Sequence, residues 1–333
     1  MRHSVVWTIL LTALFVLAWL CLFTGSVQIP YGDTWDVLTG GHAEKKTWTR
    51  IIVELRIPMT ATAALTGAAL GVAGLLLQTV FNNPLAGPSI LGISTGASLG
   101  AAVVLLALPG IADPQSASVA GAFVGATLVL LLLLGLSVFV RSTIMLLIVG
   151  IMLGYITSSV ISVLNFYSTQ EGVHSYVIWG LGNFSGVGRT TLPFYGSLIG
   201  SMLLLSMLLV KPLNALLLGE RHAANVGVNV QASRIVILVV TGILIALATA
   251  FCGPIGFIGL AVPHIARLLL KTSNHKILIP AVILTGAITG LLTLWLTTLP
   301  GERGMLPVNA ITPVIGVPVV LYIILNKKIK NKE

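Results

Sequence analysis

The chain has 333 residues, 56% of them hydrophobic and only 8% charged, with a mean hydropathy of +1.03. A soluble globular domain carries about 25% charged residues, so the composition excludes a soluble enzyme or binding module. The formal charge of +9 comes from basic residues set between apolar runs rather than on one patch, which reads as membrane topology and not as a nucleic-acid footprint.

In chain order, Arg2 and His3 precede an apolar run, Val5–Phe23, which is long, lacks a good cleavage site at LFTGS and reads as a retained first helix. A polar outer loop follows at 25–56. Further apolar spans are predicted at Ile57–Val80, Ile90–Leu108, Ser116–Val140 and Thr143–Phe166, with the turn-rich FNNPLAGPS at Phe81–Ser89 between the first two. Thr169–Thr190 interrupts the pattern and is expected to hold a short interfacial helix. A sixth span at Thr191–Val210 leads into a polar segment, 211–233, and then Arg234–Phe251. The next stretch, Gly253–Leu270, is apolar but broken by Gly253, Pro254, Gly256, Gly259 and Pro263. Backbone that irregular survives at membrane depth only where neighbours or a water-filled path satisfy its amides. Ile277–Leu299 and Met305–Leu325 complete ten spans, each near the ~20 residues a crossing helix needs except the broken eighth. The expected fold is an all-α polytopic membrane protein, one transmembrane domain over 1–333.

With the N-terminus inside, twelve of the 18 basic residues fall inside, among them Lys211, Arg221, Arg234, Arg267 and the Lys-rich tail. Seven of the nine acids fall outside. Both termini are therefore expected in the cytoplasm. Small residues recur four apart at Gly67/Gly71, Gly96/Gly100, Gly121/Gly125, Gly150/Gly154, Gly196/Gly200 and Gly286/Gly290, a spacing that lets helix backbones approach closely in lipid. A faint echo links Thr66-Gly67 and NPLAGP to Thr241-Gly242 and GPIGF, as inverted repeats would.

The predicted spans contain no Asp or Glu, which argues against an ion-coupled transporter. No nucleophile–base pair supports an enzyme, and no GxxxxGK[ST] phosphate loop is present, since GLGNFSGVGRTT lacks the lysine. Cys21 and Cys252 both lie in apolar segments, and the six histidines form no metal-ligand spacing. Active transport would need a separate ATPase. The fifth span has a mildly polar face formed by Gly154, Tyr155, Ser158, Ser162 and Asn165. LLLGERHAANVGV at Leu216–Val228 reads as a short amphipathic helix between glycines.

GPIGFIGLAVPHIARLL resembles the signature of the permease subunits of type II ABC importers, the FecCD-like family that handles iron–siderophores, haem and cobalamin. NNPLA, LRIPM at Leu55–Met59 and PGERGMLPVNAITPVIGVPVVLYIIL match further family segments, so the resemblance spans nearly the whole chain. It implies a homodimer with two cytoplasmic ATPases and an external substrate-binding protein, in a bacterial inner membrane, with no cofactor or metal in this chain and ATP and Mg bound by the partner. It assigns Gly219, Glu220, Ala223, Ala224 and Gly227 to ATPase coupling. The fifth-span face would line the path, Asn83, Leu85, Ser142 and Thr143 would close it inside, and Arg56 and Arg303 would dock the binding protein. Met59 departs from the family's second arginine, and LWLTTLP stands where an acidic pair is common. The implied cargo is an iron chelate, with haem or cobalamin next. An ATP-independent channel or facilitator is the alternative.

Overall fold

The computed structural model describes residues 2–108, 110–140, 143–301 and 304–330, and every regular element among them is helical. The order is α1 (Arg2–Phe23), α2 (Tyr31–Leu38), α3 (Lys46–Arg50), a π-turn (Ile51–Arg56), α4 (Ile57–Val80), α5 (Ile93–Ala102) with a second π-turn (Val103–Ala107), α6 (Pro114–Phe139), α7 (Thr143–Tyr167), α8 (Gln170–Gly180), α9 (Leu192–Leu208), α10 (Val210–Leu216), α11 (Glu220–Asn225), α12 (Val230–Cys252), α13 (Ile258–Leu270), α14 (His275–Thr297) and α15 (Val308–Lys330). Side chains act as stops and starts. Asp113 accepts the Ser116 N–H ahead of Pro114 at the start of α6, and the same bonds hold its carboxyl below the usual range. Asn229 accepts from Ala232 at α12 and Asn274 from Lys276 at α14.

Six of these helices are long and apolar enough to cross a bilayer, and α9 with α10, bent by 56°, makes a seventh. The remaining three expected spans are shorter apolar helices, Ile93–Ala107, Ile258–Leu270 and Val308–Tyr322. At ~1.5 Å rise per residue a 13-residue helix falls well short of the ~30 Å hydrocarbon core. Ten crossings are therefore not established by length and composition.

The polar segment 25–56 is also not a loop throughout. It contains α2, and its last eleven residues are the first turns of a continuous helical run, Lys46–Val80. Pro58 accounts for the π-turn before it: proline has no N–H for the Glu54 carbonyl, so the register slips and the Ile57 N–H bonds to the Ile52 carbonyl instead.

Helix α4 is the axis of the bundle. Every residue from Thr66 to Val80 is buried, beneath α9, α12, α13 and α14. Glycine makes those crossings possible. Gly67 lies on the Gly286 backbone of α14, and Gly71 meets Val262 and Val282. Gly74 sits under the Gly259 carbonyl, the group that Pro263 leaves without its i+4 donor. A second crossing joins α5 to α6, with Gly96 against Gly125 and Gly100 against Gly121. The Gly196/Gly200 pair does not form a crossing, since nothing lies within 4 Å of a Cβ built at Gly200. The two halves of the internal echo sit differently: Gly67 meets backbone, whereas Gly242 meets the Leu130 side chain.

Buried hydroxyls are mostly satisfied. Thr285, Thr289 and Thr293 each donate to the carbonyl four residues back on α14, and Thr66, Tyr195 and Cys252 form a polar cluster between α4, α9 and α12. The outer helices are different in kind: on α1 Phe15 is 80% exposed, and α7 shows apolar side chains on most of its circumference.

The glycine crossings give a direct test. Gly74→Val should drive side-chain carbon into the Gly259 carbonyl and sharply lower the amount of folded protein recovered from membranes. Gly200→Ala, with open space around it, should express and melt like wild type. Equal thermal stability of the two variants would contradict the packing described.

Candidate functional site

At one end of the bundle the connections 81–92, 209–229 and 271–274 gather; at the other are 24–56, 168–191 and 253–257. At the first end, α11 is framed by Gly219 at φ +98° and Gly227 at φ +85°, conformations that a side chain resists. Ala223 is fully buried and its carbonyl accepts the Val228 N–H, which closes the turn. Glu220 is not a free outward charge. Its carboxylate accepts from Arg234 at the base of α12, whose side chain is only 5% exposed. Ala224 does face outward. Beside it stand Leu218, 68% exposed, and Val226, 59% exposed. These two give the segment its exposed apolar surface; the sequence reading included them in the stretch Leu216–Val228 but did not single them out, because exposure depends on packing that the sequence does not display.

The loop 81–92 is folded onto α13. Asn83 Oδ1 accepts the Leu85 N–H and turns Leu85 outward, 46% exposed. His264 Nε2 donates to the Pro84 carbonyl at 2.8 Å, since a carbonyl can only accept. Arg267 donates to Gln78 Oε1 at 2.6 Å, and Gln78 Nε2 reaches the Leu260 carbonyl. Gln78, Asn83, Pro84, His264 and Arg267 line an open cleft of about 410 Å³, with Leu217 beside the coupling segment at its edge. His275 is 1% exposed, with Nδ1 2.9 Å from Asn214 Oδ1 and Nε2 2.9 Å from Thr79 Oγ1, tying α14, α10 and α4 together. Both histidines thus act as connectors. Ser142 lies outside the described residues, and Thr143 opens α7.

On α7 the structure brings Tyr155, Ser158 and Ser162 to the exterior, Tyr155 being 73% exposed. Ser162 satisfies its hydroxyl on the Ser158 carbonyl, and Asn165 is half-buried. Gly154 falls elsewhere: a Cβ there would touch Thr95 of α5 at 3.7 Å. It is a packing position beside the polar face rather than part of its surface.

At the other end the broken segment is held by a residue the sequence reading did not single out. Asn309, at the start of α15, donates to the Gly180 and Pro254 carbonyls at 3.1 and 2.6 Å and accepts the Gly256 N–H at 3.2 Å. Its own N–H reaches the Leu181 carbonyl, and the Asn183 N–H reaches Cys252. One amide side chain joins α8, α15 and the α12–α13 break. Its only signal in the sequence was an asparagine at the head of an apolar run.

Arg56 is corrected here. It is 7% exposed, and its guanidinium donates to the Leu22 and Val27 carbonyls at 2.9 and 2.6 Å, so it does not present its charge at the outer surface. Nor does it pair with Glu54, which reaches Arg189 at 3.5 Å. Arg303 lies outside the described residues.

Asn309→Leu should orphan three backbone groups at nearly constant volume, at ~1–3 kcal/mol each. The purified variant should melt well below wild type and exchange the Gly256 amide faster. Asn309→Asp keeps the acceptor and should fall between the two. An unchanged melting point for Asn309→Leu would remove Asn309 from this role.

The comparisons with known proteins agree with this architecture. Residues 11–326 match the FecCD transport family. The chain is 33% identical to the vitamin B12 import system permease protein BtuC of Klebsiella pneumoniae, covering 95% of this chain and 94% of that one. It is 35% identical to the protein of that name in Salmonella schwarzengrund, covering 97% and 96%. A solved structure described as an inward-facing metal-chelate type ABC transporter superposes with a TM-score of 0.83 at 26% identity, covering 98% and 99%. The chain belongs to the FecCD transport family and is a multi-pass permease of the ABC-importer kind.

Proposed function

We propose that this permease moves a bulky metal chelate (an iron–siderophore, haem or a corrinoid) across a bacterial cytoplasmic membrane, crossing it ten times with both termini inside. The observation that carries the reading is α11, displayed between two glycines in a chain whose spans offer almost nothing to couple transport to an ion. Among the described residues Glu54 is the one carboxylate within a candidate span, and it is half-exposed and paired with Arg189. The energy then comes from two separate ATPases, bound at α11 through Leu218, Ala224 and Val226.

A second copy of the chain completes the path. Tyr155, Ser158 and Ser162 on the open side of α7, with Asn165, face that copy across a weakly polar channel, which suits a large cargo that must not stick. The loop holding Asn83 and Leu85, with Ser142 and Thr143, closes the inner end. An external binding protein delivers cargo at the opposite end, where Arg303 belongs; Arg56 is withdrawn from that surface. The names of the relatives, vitamin B12 import and metal-chelate transport, support this cargo class. A facilitator working without ATP would leave the exposed apolar residues of the coupling segment without a purpose.

Gly227→Val should leave the protein in the membrane, because nothing lies within 4 Å of a Cβ there, yet strain the turn at φ +85°. Cobalamin and ferric-siderophore uptake and the recovery of the cognate ATPase with the purified permease should fall together. Wild-type uptake and ATPase recovery would reduce α11 to an ordinary loop.

Sidedness has its own test. In a background with Cys21 and Cys252 replaced by alanine, single cysteines at His42 and Ala112 should react with an impermeant maleimide on intact cells. One at Asn225 should react only after permeabilisation. Labelling of Asn225 on intact cells would invert the arrangement.

A further inference from the structure

At the outer end, the last turn of α1, the connector 24–27, the π-turn before α4 and the end of α14 enclose a cavity of about 200 Å³. Its wall is largely apolar and includes Leu55, Met59, Leu294, Trp295 and Met305. Of the polar side chains in it, the Thr24 and Thr298 hydroxyls are already bonded to the Leu20 and Trp295 carbonyls, and three others are not fully satisfied. The Thr60 hydroxyl, on a residue 8% exposed, and the Ser26 hydroxyl are buried and have no hydrogen-bond partner. Arg56 is the third. A guanidinium carries five N–H donors, and the bonds to Leu22 and Val27 use two of them. No carboxylate among the described residues lies within 4.0 Å of it.

A buried cation without a counter-ion is unfavourable, and so is a buried hydroxyl without a partner. Both defects flank one cavity: an anion entering it meets the guanidinium, and a turn of the Thr60 and Ser26 side chains about χ1 brings their buried hydroxyls to it. The local backbone is shaped around the arginine. The π-turn ends at Arg56, and Gly25 lets the connector lie against the guanidinium, where a Cβ would come to 3.1 Å from it. Around this cationic point the surface is apolar, so the ligand must join an anionic head to a hydrocarbon part. The cavity also lies beside the last turn of α1, the most exposed of the candidate spans: only 11% of its apolar window is buried.

We propose that this cavity binds one anionic phospholipid, with its phosphate on the free N–H groups of Arg56 and the hydroxyls of Thr60 and Ser26, and the head of an acyl chain along Leu55, Met59 and Trp295. The lipid would neutralise the buried charge and brace the connector between α1 and α2. A carboxylate from a protein partner fits less well, because it would leave the apolar wall uncovered. This inference stands apart from the cargo and the coupling proposed above and survives if either is wrong.

The test is native mass spectrometry of the delipidated full-length chain, titrated with dioleoyl phosphatidylglycerol or dioleoyl phosphatidylcholine. Wild type should retain one phosphatidylglycerol about tenfold more tightly than phosphatidylcholine, the margin that charge-assisted hydrogen bonds supply. Arg56→Gln should abolish that preference. Thr60→Leu, which fills the cavity and leaves the arginine in place, should weaken retention of both lipids, and thermal melting shows whether each variant is folded. Equal retention of the two lipids by wild type, or full retention by folded Thr60→Leu, would overturn the proposal. So would unchanged lipid retention by Arg56→Gln together with weaker binding of the external binding protein, which would give Arg56 to a partner's carboxylate.

Discussion

A helix that stops within a packed bundle must hand its backbone polar groups to something else, and the rest of this fold is arranged around one such stop. Between α12 and α13 the chain runs through Gly253–Phe257 without a helical ladder. Gly253 adopts φ +74°, and a Cβ there would strike the Trp179 carbonyl, so the end of α8 can press directly on the break. Asn309 and Asn183 then take up the groups that a helix would have satisfied internally. Phe257 is held at φ +65°, unusual for a bulky residue, with its side chain against Gly316 of α15. Strain of that kind persists only where the surroundings over-determine it. Here α8, α15 and the facing ends of α12 and α13 do so together.

The same logic continues toward the other end of α13. Pro263 deprives the Gly259 carbonyl of its donor, and the orphaned oxygen is laid against Gly74, where the missing side chain permits a Cα–H contact. Proline frees the carbonyl and glycine receives it. Two residues that read separately as helix breakers are therefore one packing device. At the inner end Arg267 and His264 complete the attachment by bonding to Gln78 and Pro84. The motif GPIGFIGLAVPHIARLL is thus occupied along its whole length in holding α13 to α4, α15 and the loop 81–92.

That explains what could be read from the sequence and what could not. Apolar runs and helix-stopping residues have local causes, so the positions of α1, α6, α7, α12 and α14 were legible within a few residues. Glycines four apart were legible as close-packing surfaces, but their partners were not, because Gly67 on Gly286 is a contact across more than two hundred residues. The second span was legible at Ile57–Val80, the bounds of α4, but its helical extension was not, because Lys46, Arg50, Glu54 and Arg56 look like a solvated loop; α3 and the π-turn carry them as a helix, with Ile52 buried against Ile29 and Val37. Long-range polar contacts were invisible for the same reason. Nothing near Asn309 in the sequence announces Pro254, and nothing near Glu220 sets Arg234 apart from the chain's other basic residues.

The charges repay a closer look, because their placement separates scaffold from working surface. Arg56, Arg234 and Arg267 each turn inward onto a carbonyl, a carboxylate or an amide. They therefore brace the α1–α2 connector, α11 and the inner end of α13. Weakly polar or apolar side chains are left outward on α7, at Tyr155, Ser158 and Ser162, and around α11, at Leu218 and Val226. A passage of the kind proposed above, for a large chelate, would benefit from that division. Strong charges on its wall would hold the cargo, whereas the same charges buried behind the wall fix its shape. The glycine-crossed core of α4, α12, α13 and α14 supplies rigidity, and the exposed weakly polar and apolar surfaces of α7 and α11 lie at its edge.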